Sequence, residues 1–331
     1  MLQAAESGPP TATAILGSFH VSWLTLVLLA SAGLYLAGVV KLRRRGDRWP
    51  LARTLLFLFP GLGAIASVTM SGVEEFDTTL LSVHMVQHMV LAMIAPIFLA
   101  LGAPVTLALR TLPAGGRRAL LAVVHSRAAR ILAFPLVAFG FFVVTPFVLY
   151  FTNLYELTMR HEWFHEVTHA HFIAVGCLFF WPLIGLDPLP GRWPYPARAL
   201  LMFLSTPFHT VLGLTIMQSR TLLGGDWYPS LHLSWADPVA DQALAGGILW
   251  AGGEFVSVTM LAVLVVQWMR QSDREAKRID RRLDREERLS QEEAEWSART
   301  GIPIAPDGAP TAKLEDGTIP EADATRGAAR T

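Results

Sequence analysis

The chain has 331 residues, 52% of them hydrophobic and only 16% charged, with 27 Lys and Arg balancing 27 Asp and Glu. A soluble globular domain carries about 25% charged residues, so this composition excludes one over most of the length. The single cysteine, Cys177, excludes a disulfide framework, a CxxC site and any all-thiolate metal site.

The charge deficit is concentrated. Phe19 to Met269 is apolar, whereas Arg270 to Thr331 is highly charged and then rich in Pro, Ala and Asp. The pattern predicts an outer N-terminal segment over 1–18, an all-α polytopic membrane bundle over 19–270 and a cytoplasmic tail over 271–331. Seven segments reach or approach the roughly 20 helical residues that cross a hydrocarbon core. They are about Phe19–Val40, Leu51–Met70, Leu80–Leu101, Ile131–Tyr150, Phe164–Ile184, Ala197–Met217 and Leu244–Met269. The first has no basic residue before it and an Arg cluster after it, the reverse of a cleavable signal's polarity.

The second segment carries Pro60, Gly61 and Gly63, which predict a kink that neighbouring helices can compensate. The third opens with His84 and His88, four apart and therefore on one helical face, with Met85 and Met89 in the adjacent stripe and Met93 deeper. Around the start of the fifth stand His161, His165, His169 and His171, accompanied by Glu162 and Glu166 as candidate hydrogen-bond partners for imidazoles. His169 and His171 cannot share a face, so at most one joins the His165 row. In the sixth, His209 follows Pro207, and either bonds a carbonyl near the proline or joins a site from a third helix. The seventh opens at Asp241 and holds Glu254 about midway, a carboxylate expected to face the bundle, paired or protonated. Gly246, Gly247, Gly252 and Gly253 predict close helix approach around it; no strand precedes them, so they are not a nucleotide fingerprint.

Of the 27 Lys and Arg, all but Arg160 and Arg220 fall beside the ends of segments on one side or in the tail. The positive-inside rule then places the N-terminus outside and the C-terminus in the cytoplasm, which requires an odd number of spans and agrees with seven. Their placement serves orientation, and no nucleic-acid partner is expected. Ser272 to Trp296 interleaves acids and bases as a solvated helix does; beyond Thr300, Pro303, Pro306, Pro310 and Pro320 predict disorder.

With that topology nine of the ten histidines lie on the outer side, and only His125 falls on the other. Neutral imidazole and thioether suit soft or borderline ions, copper above all. The expected site gathers His84, His88, Met85 and Met89 with histidines from the fifth and sixth segments, His165, His169 and His209. Outer-loop acids, Glu74, Glu75, Asp77, Asp226 and Asp237, would attract cations loosely. Two other chemistries compete. His161-Glu162-Trp163-Phe164-His165 fits HExxH, the zinc-protease motif, but needs a third ligand from another helix. Paired histidines, His88 with His209 or His84 with His169, could ligate haem axially in an electron carrier, although the methionines then have no use.

The run His84-Met85-Val86-Gln87-His88-Met89, followed by Ala95-Pro96 and Gly102-Ala103-Pro104, resembles the signature of the seven-helix CtaG-type cytochrome c oxidase assembly factors of bacteria. Phe180-Trp181-Pro182 with Asp187-Pro188, Thr206-Pro207-Phe208-His209, and Asp241-Gln242 with Ala245-Gly246-Gly247 and Trp250 resemble its later blocks in the same order. The resemblance covers roughly residues 19–270. It implies a plasma-membrane protein that helps mature a haem–copper oxidase by presenting copper to its catalytic subunit. The histidine and methionine donors are expected to take cuprous ion from the outer side, from an extracytoplasmic donor, and to pass it on by ligand exchange, which makes the protein no enzyme. By position the resemblance implies His84, His88 and His209 as ligands, His169 as the strongest candidate of the fifth segment, and Asp241 and Trp250 in support.

Overall fold

The computed structural model describes residues 8–189 and 193–301. Arg192, residues 1–7 of the N-terminal segment and the tail expected to be disordered from Ile302 onward lie outside them. The regular structure of the described residues is helical, apart from one isolated bridge between Phe19 and Ser71. Two compact units divide the chain, Met1–Val265 and Val266–Thr331.

Among the described residues of the first unit, six helices are long and apolar enough to cross a membrane: α1 (Trp23–Arg44), α2 (Leu51–Thr69), α3 (Leu81–Thr111), α6 (Glu162–Ile184), α7 (Tyr195–Gln218) and α8 (Pro238–Thr300), whose residues past Val265 belong to the second unit. The fourth expected span is a pair, α4 (Pro135–Tyr150) and α5 (Leu154–Arg160), bent by 71° at the break. Counted as one span the pair makes seven. Helices suit this setting because every backbone polar group is satisfied within the segment. Side chains such as Leu29, Leu34, Phe203 and Phe255 stand outward, exposed, as lipid-facing residues do.

Local chemistry fixes the ends. Ser22 caps α1 through the Leu24 N–H and forms a capping box with Thr25, while Lys41, Arg43 and Arg44 occupy its last turn, where the helix dipole favours cations. The kink expected at Pro60 is instead a π-helical stretch, Phe57–Gly63, which accommodates the missing proline N–H by widening the helix. A second π stretch, Val90–Ile94, follows directly on His88 and Met89. At the arginine end, Ala103 takes a left-handed turn (φ 49°) before Pro104 restarts the helix. There the buried Asp187 carboxylate accepts from the Thr106 N–H at 2.7 Å, the Val105 N–H at 3.3 Å and the Trp181 indole at 2.8 Å.

Helices α3 and α6 cross at Gly176. A Cβ there would lie 2.1 Å from the Ala92 carbonyl oxygen, so only glycine permits the approach. That crossing brings the two histidine-bearing helix starts together. Above them, Gly72 donates to the Ile15 carbonyl at 2.9 Å and Ser18 to Glu75 at 3.0 Å, so residues near 15–18 lie on the loop joining α2 to α3. In the second unit the helix is solvent-exposed and carries i,i+4 pairs such as Arg282–Glu286 at 2.8 Å.

Candidate metal centre

Four imidazoles meet where α3 and α6 begin. Asp241, in the first turn of α8, holds the start of α3 by accepting from both the Ser82 N–H (3.2 Å) and the Ser82 hydroxyl. A carboxylate at a helix N-terminus satisfies free amides and complements the dipole. His84 and His88 follow on one face, ring centroids 3.9 Å apart. On α6, His165 and His169 repeat the spacing at 4.5 Å. Across the helices His84 faces His165 at 5.5 Å and His88 faces His169 at 5.7 Å. Each of the four is at most 5% exposed.

The loop before α3 supplies carboxylates. Asp77, fully buried, lies with Oδ2 2.8 Å from His165 Nε2 and 3.7 Å from His169 Nε2. Glu74 Oε1 is 3.9 Å from His169 Nδ1, and its other oxygen accepts from the Gln87 amide at 2.7 Å. Burial and the neighbouring Asp77 carboxylate push the Glu74 carboxyl up to about 9. Two triads result, His84/His88/His165 and Asp77/His165/His169, each with candidate ligand atoms within 4.8 Å of one another.

The nitrogens are poised rather than paired. Both nitrogens of His84, Nε2 of His88, Nδ1 of His165 and Nε2 of His169 are buried without a hydrogen-bond partner, as is Asp77 Oδ1. Leaving one such group unsatisfied costs about 1–3 kcal/mol, a penalty that an ion taking one lone pair from each ring would offset. The opposite nitrogens of two rings are held. His88 Nδ1 is 3.0 Å from the Tyr150 hydroxyl, which itself donates to Met85 Sδ at 3.6 Å. The tautomer that donates from Nδ1 to the Tyr150 oxygen leaves His88 Nε2 bare. Likewise His165 donating from Nε2 to Asp77 leaves Nδ1 bare. Outer partners of this kind fix a ring's tautomer and raise its basicity as a ligand.

His209 lies outside both triads. Its Nδ1 donates to the Ser205 carbonyl at 3.1 Å, and its ring packs on Phe142 at 5.2 Å. With His88, Met85, Met89 and Met93 it lines a neighbouring cavity of about 30 Å³. A cavity that size holds roughly one water-sized group, not a porphyrin, so the His88–His209 haem pairing has no room. Met89 packs on Gly252, whose added Cβ would stand 3.1 Å from its sulfur. Glu254 accepts from the Thr210 hydroxyl at 2.5 Å, and Trp250 packs its backbone and Cβ on Gly213. Neither belongs to either triad. His161 caps α6 in an extended conformation and is exposed, as is Glu162, so the HExxH residues do not converge. His171 is exposed beside Thr145 at 3.3 Å. His20 and His232 are exposed as well.

Sequence reasoning gave Asp77 only a loose electrostatic role and Tyr150 none. The available signal was the crowding of Glu74, Glu75 and Asp77 into the short loop directly before a His-x-x-x-His helix.

The family described as cytochrome c oxidase caa3 assembly factor matches residues 33–271. Two uncharacterised proteins, from Mycobacterium bovis and Mycobacterium tuberculosis, are each 40% identical over 289 residues, 83% of this chain and 43% of the relative. One from Mycobacterium leprae is 39% identical over 258 residues, 76% of this chain and 39% of the relative. The chain thus spans less than half the length of these relatives. No solved structure matches it.

Proposed function

This chain belongs to the family of cytochrome c oxidase caa3 assembly factors, and from that premise we propose that it holds cuprous ion among its buried histidines and passes it to the oxidase catalytic subunit. The ion sits between His84, His88 and His165, with Tyr150 and Asp77 orienting the rings behind it. The observation that carries this reading is the set of buried ring nitrogens with no partner, converging from two helices. Three neutral imidazoles bind a borderline ion firmly while lacking the near-irreversible grip of several thiolates. The thioethers of Met85, Met89 and Met93, which line the adjoining cavity with His209, are softer donors on the way to the partner.

The same proposal includes seven spans, α4 and α5 together forming one, in the plasma membrane of a bacterium. The charge distribution supports an outward N-terminus and a cytoplasmic C-terminus. The histidine cluster then lies, buried, toward the outer side, where an extracytoplasmic donor delivers copper. Delivery is ligand exchange and needs no catalytic group. In cells carrying His88→Ala, the oxidase catalytic subunit accumulates but lacks copper, measured as metal per haem in purified oxidase. Normal copper content in that strain contradicts the proposal.

A further inference from the structure

The two triads share His165 and are equally buried, but they differ in chemistry and in what adjoins them. His84/His88/His165 is all nitrogen and sealed, with His84 1% and His88 3% exposed. Asp77/His165/His169 contains a carboxylate and adjoins Glu74, whose side chain is 22% exposed. Glu162, exposed, and Glu166, partly so, add negative field at Glu74 from the first turns of α6. At this corner the buried Nε2 of His169 and Oδ1 of Asp77 both lack a hydrogen-bond partner, so the acids are not merely solvated.

Resting on the copper reading above, we infer that the Asp77/His165/His169 corner is a second, transient cuprous-ion station, the entry point from which the ion moves to His84/His88/His165. Carboxylate is a poor ligand for a soft ion and imidazole a better one, so the step runs from the labile, solvent-linked station to the firmer, buried one. A neutral imidazole has one bare nitrogen. His165 therefore serves one station at a time, and the pair holds a single ion. At entry, His165 binds through Nε2 and carries its proton on Nδ1. On transfer, the bonds to Asp77, His169 and His165 Nε2 break and those to His84, His88 and His165 Nδ1 form; Nδ1 gives its proton to solvent water and Nε2 takes one up, which it donates to the released Asp77. No electron moves and no net proton is gained or lost.

The test uses the full chain, purified in detergent and loaded anaerobically with cuprous ion from a weak chelator, with uptake followed in time and ligation read by X-ray absorption. Wild type takes up one ion ligated by nitrogen. His84→Ala still binds copper, now with oxygen in its coordination shell, because the ion stops at the entry station. His169→Ala takes copper up more slowly than wild type, the ion that binds being ligated by nitrogen alone. His84→Ala/His169→Ala binds none. If His84→Ala loses copper entirely, or His169→Ala loads at the wild-type rate, there is no second station and the inference falls. If both single variants abolish binding, the four histidines form one site. A wild type that binds no copper defeats the proposed function itself.

Discussion

At the scale of single residues, what stands behind the ligands matters as much as the ligands. Tyr150 holds His88 Nδ1 at 3.0 Å, and removing such an outer partner lowers metal affinity about 10- to 100-fold. Tyr150→Phe is expected to weaken cuprous binding by that factor in chelator competition while the protein remains folded; unchanged affinity would remove Tyr150 from the site. Glu74 gives a prediction for the metal-free protein. Its carboxyl ionises near 9 in the folded state, against 4.5 in the unfolded chain. A raised acid pKa means the folded state keeps its proton longer, so this residue's contribution to stability falls as pH rises from about 4.5 to 9 and is constant below that window. Glu74→Gln is expected to flatten that slope in thermal melts across pH, and an identical slope in the variant would contradict the burial assigned to it. The pairings of Asp77 with His165 and of Tyr150 with His88 were illegible beforehand because the partners lie 88 and 62 residues apart along the chain. Periodicity reports only neighbours on the same helix.

At the scale of elements, the site is an intersection of two helix starts. Each His-x-x-x-His pair could be read from spacing alone, since residues four apart share a face. That the two faces oppose each other depends on where α3 and α6 cross, and Gly176 sets that crossing. Gly176→Ala would drive a methyl group into the Ala92 carbonyl. Overpacking of this kind costs about 1–3 kcal/mol, and here it also parts the histidine pairs. The expected result is a lower melting temperature together with weaker copper retention; a variant as stable and as well loaded as wild type would show that the crossing is not what aligns the rings. The bend between α4 and α5 was not foreseen. The apolar run Ile131–Tyr150 reads as one plain span, yet the turn after Tyr150 places Tyr155 against the His84 ring at 5.1 Å.

At the scale of the whole molecule, composition and charge placement foretold an all-helical membrane protein, and the run around His84 foretold its family. Both signals are one-dimensional: apolar length marks helices able to span, and a dense local motif marks kinship. The assembly of the site is three-dimensional, which is why His209 and Trp250, suggested by position in the chain, stand apart from the triads while Asp77 completes one. The account rests on those triads holding copper. The most direct measurement is the copper content of the full chain purified after cuprous loading, beside His165→Ala, which removes the residue common to both triads. The account predicts one copper per chain in wild type and none retained in the variant after chelator wash. Equal copper in the two proteins, or none in either, would contradict it.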